Sequence, residues 1–168
     1  MNEIHQRMIV RCVVHEAQAQ LFTFFRERVA SRAISIAQPD RAVQIALRSP
    51  VIVPSLATEI VLQRDVIATV SAAAEDKLGG ENRVAWEPAG GGPFPRFSGT
   101  LRLEEADADL CYLVLEGTYC SATAPKAARE ESTLAYRITV ATARSLLSEI
   151  RVSLERSYRL SGGSHTSR

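Results

Sequence analysis

Arg64 is the residue whose position asks most of its surroundings. In the run TEIVLQRDVIATVSA it shares the parity of Ile60, Leu62, Val66 and Ala68, and a β-strand sets one parity on one face. A guanidinium on an apolar face needs a partner, because a buried charge left alone is strongly destabilising. Glu116, inside the apolar run LCYLVLEGTY, offers a carboxylate; the acidic head group of a ligand would serve as well. A bulge near Gln63, or a second strand starting at Asp65, would instead turn Arg64 toward water, the usual place of an arginine. Tyr112, Tyr119 and Tyr136 add hydroxyls that could donate hydrogen bonds or a proton, though buried tyrosines ordinarily hold structural partners. His15 beside Glu16 reads as a solvated helix start. No Ser-His-Asp or Cys-His spacing is present, so no catalytic residue is assigned.

Two other patterns suggest chemistry and then withdraw it. Cys12, Cys111 and Cys120 are odd in number and lack C-x-x-C spacing, and His5, His15 and His165 supply no companion motif. They read as buried, reduced thiols and not as metal ligands. Gly90, Gly91 and Gly92 follow a strand-like run, but Pro93 and Pro95 remove backbone donors and an alternating segment comes next. A phosphate loop needs a helix N-terminus there. The glycines therefore join two strands, and no nucleotide, metal or other cofactor is expected.

These side chains depend on a small set of elements. RMIVRCVVHE reads as a first strand and EAQAQLFTFFRERVAS as a helix with a stripe at Leu21, Phe22, Phe25 and Val29. Between Arg32 and Thr58 only the alternation at Val43, Ile45 and Leu47 suggests a strand, and Pro50 and Pro54 break regularity. TEIVLQRDVIATVSA, RVAWEP, the run holding Phe97, Gly99, Leu101 and Leu103, and LCYLVLEGTY then read as a meander, with turns at EDKLGGEN and EADAD. From Ser132 to Tyr158 the period becomes helical: Leu134, Ile138, Ala141, Leu146, Leu147, Ile150, Leu154 and Tyr158 form a stripe, with Arg137, Arg144, Arg151 and Glu155 opposite. Ser132 and Thr133 are the expected N-caps, and Glu155 with Arg159 an i,i+4 pair. Such a rod is long enough to lie across a whole sheet.

Composition bounds the partners. The chain has 168 residues, 46% hydrophobic and 23% charged, with 20 basic against 19 acidic residues. That fits one globular domain, and the charge balance argues against a nucleic-acid binder. No signal-peptide core and no membrane-length apolar run is present, so stable membrane insertion is not expected and a reducing cytoplasm is the simplest home. A homodimer stays open. The domain is taken as 1-160, with SGGSHTSR, residues 161-168, as a disordered tail.

FSGTLRLEE, LVLEGTY and ATARSLLSEI, in that order and spacing, resemble the START-related SRPBCC helix-grip superfamily, which includes birch-pollen-allergen-like proteins, lipid-transfer domains and aromatic polyketide cyclases. The resemblance spans about Glu59 to Arg156. It implies an α+β fold in which a curved antiparallel sheet of seven strands wraps a long C-terminal helix around an apolar cavity. The superfamily has no universal catalytic motif, so it carries no catalytic residue over. CSATAPKAAREE departs from relatives, which often have a Pro- and Gly-containing segment there.

On these parities Trp86, Phe97, Leu101, Leu113, Leu115 and Tyr119 would line the sheet side of a cavity, and Leu134, Ile138, Thr142 and Leu146 would face them from the helix. A close-packed core is the competing reading. Three functions remain: binding or carriage of a hydrophobic, lipid- or polyketide-like small molecule; a cyclase, aromatase or dehydratase-like enzyme using Arg64 or Tyr119; or an interaction domain with a filled core, whose last helix meets an acidic protein surface through its arginines.

Overall fold

A computed structural model of the chain describes residues 2–31, 41–53, 58–71, 82–88, 95–120 and 130–161, with backbone alone for 26–31, 41–53, 58–71, 88 and 130–133. The elements are β1 (Asn2–Val10), α1 (Val14–Ser31), β2 (Arg41–Val53), β3 (Thr58–Ser71), β4 (Asn82–Pro88), β5 (Arg96–Asp107), β6 (Leu110–Cys120) and α2 (Glu130–Leu160). The six strands form one antiparallel sheet in the order β1-β6-β5-β4-β3-β2. Five strands follow one another as a meander, while β1 closes against β6, so among the described residues the two edge strands are β1 and β2. The expected tail lies outside the described residues from 162 onward.

Parity explains most of this sheet. In β5, Phe97, Leu101 and Leu103 are buried, and Leu113, Leu115 and Tyr119 face the same way from β6. Pro50 does not end β2: it stands inside the strand, opposite Val61. An edge strand can present to solvent the position where the missing N–H would have been, so proline is tolerated there. The expected bulge near Gln63 is also absent, and β3 pairs with β2 in unbroken register through Arg64. The glycine run is outside the described residues, but the element after it is β5, antiparallel to β4. β5 turns into β6 through Ala108 and Asp109, with Asp107 Oδ1 accepting the Ala108 N–H at 2.7 Å.

α2 is longer than its periodicity implied. It begins at Glu130, so Ser132 and Thr133 lie inside its first turn and are not its N-caps. Its buried stripe is Ala135, Ile138, Thr139, Thr142, Ala143, Leu146, Leu147, Ile150 and Leu154, while Leu134 is 47% exposed. Leu134 therefore does not face the sheet: the stripe drifts around the helix, and Ala135 takes that place. In α1 the buried residues are Ala17, Leu21, Phe24 and Phe25, with Phe24 and Phe25 edge to face at 5.3 Å.

On the side of α2 opposite the stripe, two side chains reach back toward the N-terminal segment. Arg144 Nε donates to Gln6 Oε1 of β1 at 3.0 Å, and Glu155 Oε1 accepts the backbone N–H of Arg11 at 3.1 Å. Arg159 donates to the Glu155 carbonyl, not to its carboxylate. Cys12 and Cys111 are buried as expected, whereas Cys120 is exposed. Its even position puts it on the other face of β6 from Cys111.

Candidate functional site

Register brings three of the sequence-selected residues into one row. Tyr119 pairs with Phe97, Phe97 with Trp86, and Trp86 with Ala68, so an aromatic line crosses β6, β5 and β4 on the inner face. Trp86 and Phe97 stack with centroids 4.1 Å apart and planes at 21°. Beneath them lies a glycine pair. Gly99 pairs with Gly117, and a Cβ on either would meet the Phe97 ring tip, at 2.6 Å from Gly99 and 2.8 Å from Gly117. The backbone itself would be closer still, with the Glu116 carbonyl 2.1 Å from a Cβ on Gly99. Glycine is needed here because a ring lies flat on the sheet.

Leu101, Leu113 and Leu115 continue the inner face behind this row, and Ile138, Thr142 and Leu146 are buried on α2. α2 approaches β1, β6 and β2 closely but scarcely approaches β3, β4 and β5. The helix is thus held by both edges of the sheet, and the middle is spanned by side chains such as Trp86 and Phe97. Apart from Leu134, every residue selected for the cavity walls that has a described side chain is buried. Arg64 enters only through its backbone. It stands opposite Leu47 in β2, with the parity of Ala68, the partner of Trp86.

Among the described side chains, polar groups in the layer are few. Tyr119 is 3% exposed. Burial chiefly pushes its phenol above the usual tyrosine range, nearby Tyr136 adds to this, and a side-chain hydrogen bond with Asn2 works the other way. Tyr119 is therefore a protonated donor, unsuited to act as a base near neutrality. Thr139 donates to the Ala135 carbonyl at 2.8 Å, a bond within the helix. The Trp86 indole Nε1 is buried and has no hydrogen-bond partner among the described residues.

Glu116, one partner considered for Arg64, lies on the outer face with other partners. Glu116 Oε1 accepts from Arg102 Nη1, and its other oxygen lies 3.3 Å from His5 Nδ1. Arg102 also bonds Glu104 at 3.0 Å, and Glu104 reaches Arg7 at 3.4 Å. Arg7 in turn sits 3.5 Å above the Tyr112 ring. The Arg102 guanidinium holds the Glu116 carboxyl below the usual carboxylate range. A pocket of about 410 Å³ along the β1–β6 seam is lined by Glu3, Ile4, His5, Glu116, Gly117 and Thr118. It belongs largely to this polar lattice and shares none of the selected residues. Sequence reasoning missed the lattice because its partners sit on three strands whose register only pairing reveals.

Similar chains are found among solved structures. A conserved protein from Geobacillus kaustophilus matches with a TM-score of 0.54 at 11% identity, over 95% of this chain and 97% of that one. A protein from Thermus thermophilus gives 0.49 at 14% identity, over 93% and 99%. The Zhui aromatase/cyclase from Streptomyces sp. R1128 gives 0.46 at 12%, over 97% and 98%. No family model and no curated protein matches the chain. At such identities the likeness is one of fold. The architecture is a helix-grip fold, α+β with an antiparallel sheet gripping a C-terminal helix, built here from six strands among the described residues. Among the described residues no helix is long and apolar enough to cross a membrane.

Proposed function

We propose that the chain binds or carries a hydrophobic small molecule, lipid- or polyketide-like, in the layer between α2 and the middle of the sheet. One observation carries the reading: α2 is held at both sheet edges while its backbone stands back from β3, β4 and β5. The described lining of the interval is apolar with few polar groups, the usual make-up of a small-molecule site. Trp86, Phe97, Leu101, Leu113, Leu115 and Tyr119 form one wall, Ile138, Thr142 and Leu146 the other, and Arg64 stands at its margin by register. Buried thiols at Cys12 and Cys111 suit a reducing compartment such as the cytoplasm.

Native mass spectrometry of the purified chain tests this. A bound apolar molecule released on unfolding is the expected result, with a rise in Tm on adding it back in excess. A bare polypeptide mass, and no Tm response to a panel of fatty acids and polycyclic aromatics, would sink it. A second reading, a cyclase-like enzyme, is favoured by the buried, protonated hydroxyl of Tyr119. It predicts that Tyr119→Phe loses turnover and keeps binding.

A further inference from the structure

Trp86 is 2% exposed, and its indole Nε1 has no hydrogen-bond partner among the described residues. Native structures keep few such donors, and indole N–H groups usually find a partner when buried. The position of this one is specific. Trp86 stands on β4, a strand that α2 does not hold, so the layer can part there without breaking the grip at β1 and β2. Its ring cannot turn freely, because Phe97 stacks on it and Phe97 is seated on the glycine pair. A donor fixed in direction, buried and unpaired among the described residues is suited to select what enters.

We infer that Trp86 is the polar anchor of the site: the ligand carries a hydrogen-bond acceptor oxygen, a carbonyl or ether-type group, that receives the Trp86 N–H. The inference rests on the proposed binding function and adds to it a requirement on the ligand. A site of this build discriminates strongly against an analogue that lacks the acceptor, because the donor is then left unpaired.

The chain has a single tryptophan, so its 15N-labelled form gives one indole cross-peak in a proton–nitrogen NMR spectrum. Two probes of matching shape are titrated in, 2-acetylnaphthalene and 2-ethylnaphthalene, which differ by a carbonyl in place of a methylene. Both are expected to bind, the ketone about tenfold more tightly, the factor that about 1.4 kcal/mol gives. The indole proton is expected to move downfield with the ketone alone. Trp86→Phe should bind the two alike; if that variant fails to fold, the wild-type titrations decide by themselves. Equal affinities without a selective downfield shift overturn the anchor and leave the proposed binding function standing. Binding of neither probe overturns both.

Discussion

The two faces of the β5–β6 ribbon are made by alternate residues of the same strands, yet they are built on opposite terms. Inward, Phe97 lies on Gly99 and Gly117, stacks on Trp86 and meets Tyr119, with almost no atom to spare. Outward, His5, Glu116, Arg102, Glu104 and Arg7 pass charge from strand to strand and roof over Val114, which is fully buried between them. The inner face is held by shape, where each group has one allowed neighbour. The outer face is held by charges that share partners, so losing one leaves others in place. Stability and specificity should therefore concentrate on the inner face although the outer one has more visible bonds.

The sharpest test uses two cysteines of β6. Cys111 faces inward, and burial pushes its thiol up to about 11; Cys120 faces outward and is exposed. Native chain treated with a thiol reagent near pH 8 should label Cys120 at least ~10³-fold faster than Cys111, whose exposure needs the fold to open. Cys12, raised to about 12 by burial first and by Cys111 second, should follow Cys111. Comparable rates would break the contrast. Next, Gly117→Val should cost more than about 4 kcal/mol in urea unfolding, because its added carbons collide with backbone as well as with Phe97. A cost under about 1 kcal/mol would mean the ring is not seated as described. Leu146→Ala, which empties a position 1% exposed on α2, should cost about 2–5 kcal/mol with an unchanged denaturant slope.

The smallest effect belongs to the outer lattice. Glu116→Gln should change stability at neutral pH by about 0–1 kcal/mol, as half-exposed ion pairs do. Its pH dependence has a definite sign. The folded-state pKa is lowered, so the stabilisation is present above the unfolded carboxyl value and is lost as pH falls through the folded one. The variant should show a slightly flatter acid limb in Tm against pH, and a steeper one would contradict the lattice as drawn.

Much of the inner face was legible in the sequence, because a strand with one side buried writes its face as alternation and a gripping helix writes its stripe at helical spacing. Phe97, Leu101, Leu113, Leu115, Ile138 and Leu146 were found in that way, and all are buried. What stayed hidden was whatever depends on register or edge position. Pro50 looked like a breaker until β2 proved to be an edge. Glu116 looked available to Arg64 until its parity and its neighbours Arg102 and His5 placed it on the other side. The line of Tyr119, Phe97 and Trp86 cannot be read from their positions in the chain, since two turns of unknown offset separate them. Arg144 is exposed, as its place on the helix implies, but nothing local announces that Gln6 of the first strand lies beside it.

The pairing of β1 with β6 has a consequence for how the molecule comes to be made. β1 ends at Val10 and the strand beside it begins at Leu110, so on the ribosome the earliest strand waits, unmatched, for the latest. Until then β6 has one bare flank and α2 has one of its two supports missing. Closure across so wide a sequence gap is slow, and a nascent chain stalled just before it offers neighbours an open strand. The same seam that completes the grip is the moment in biosynthesis at which a chaperone would matter most.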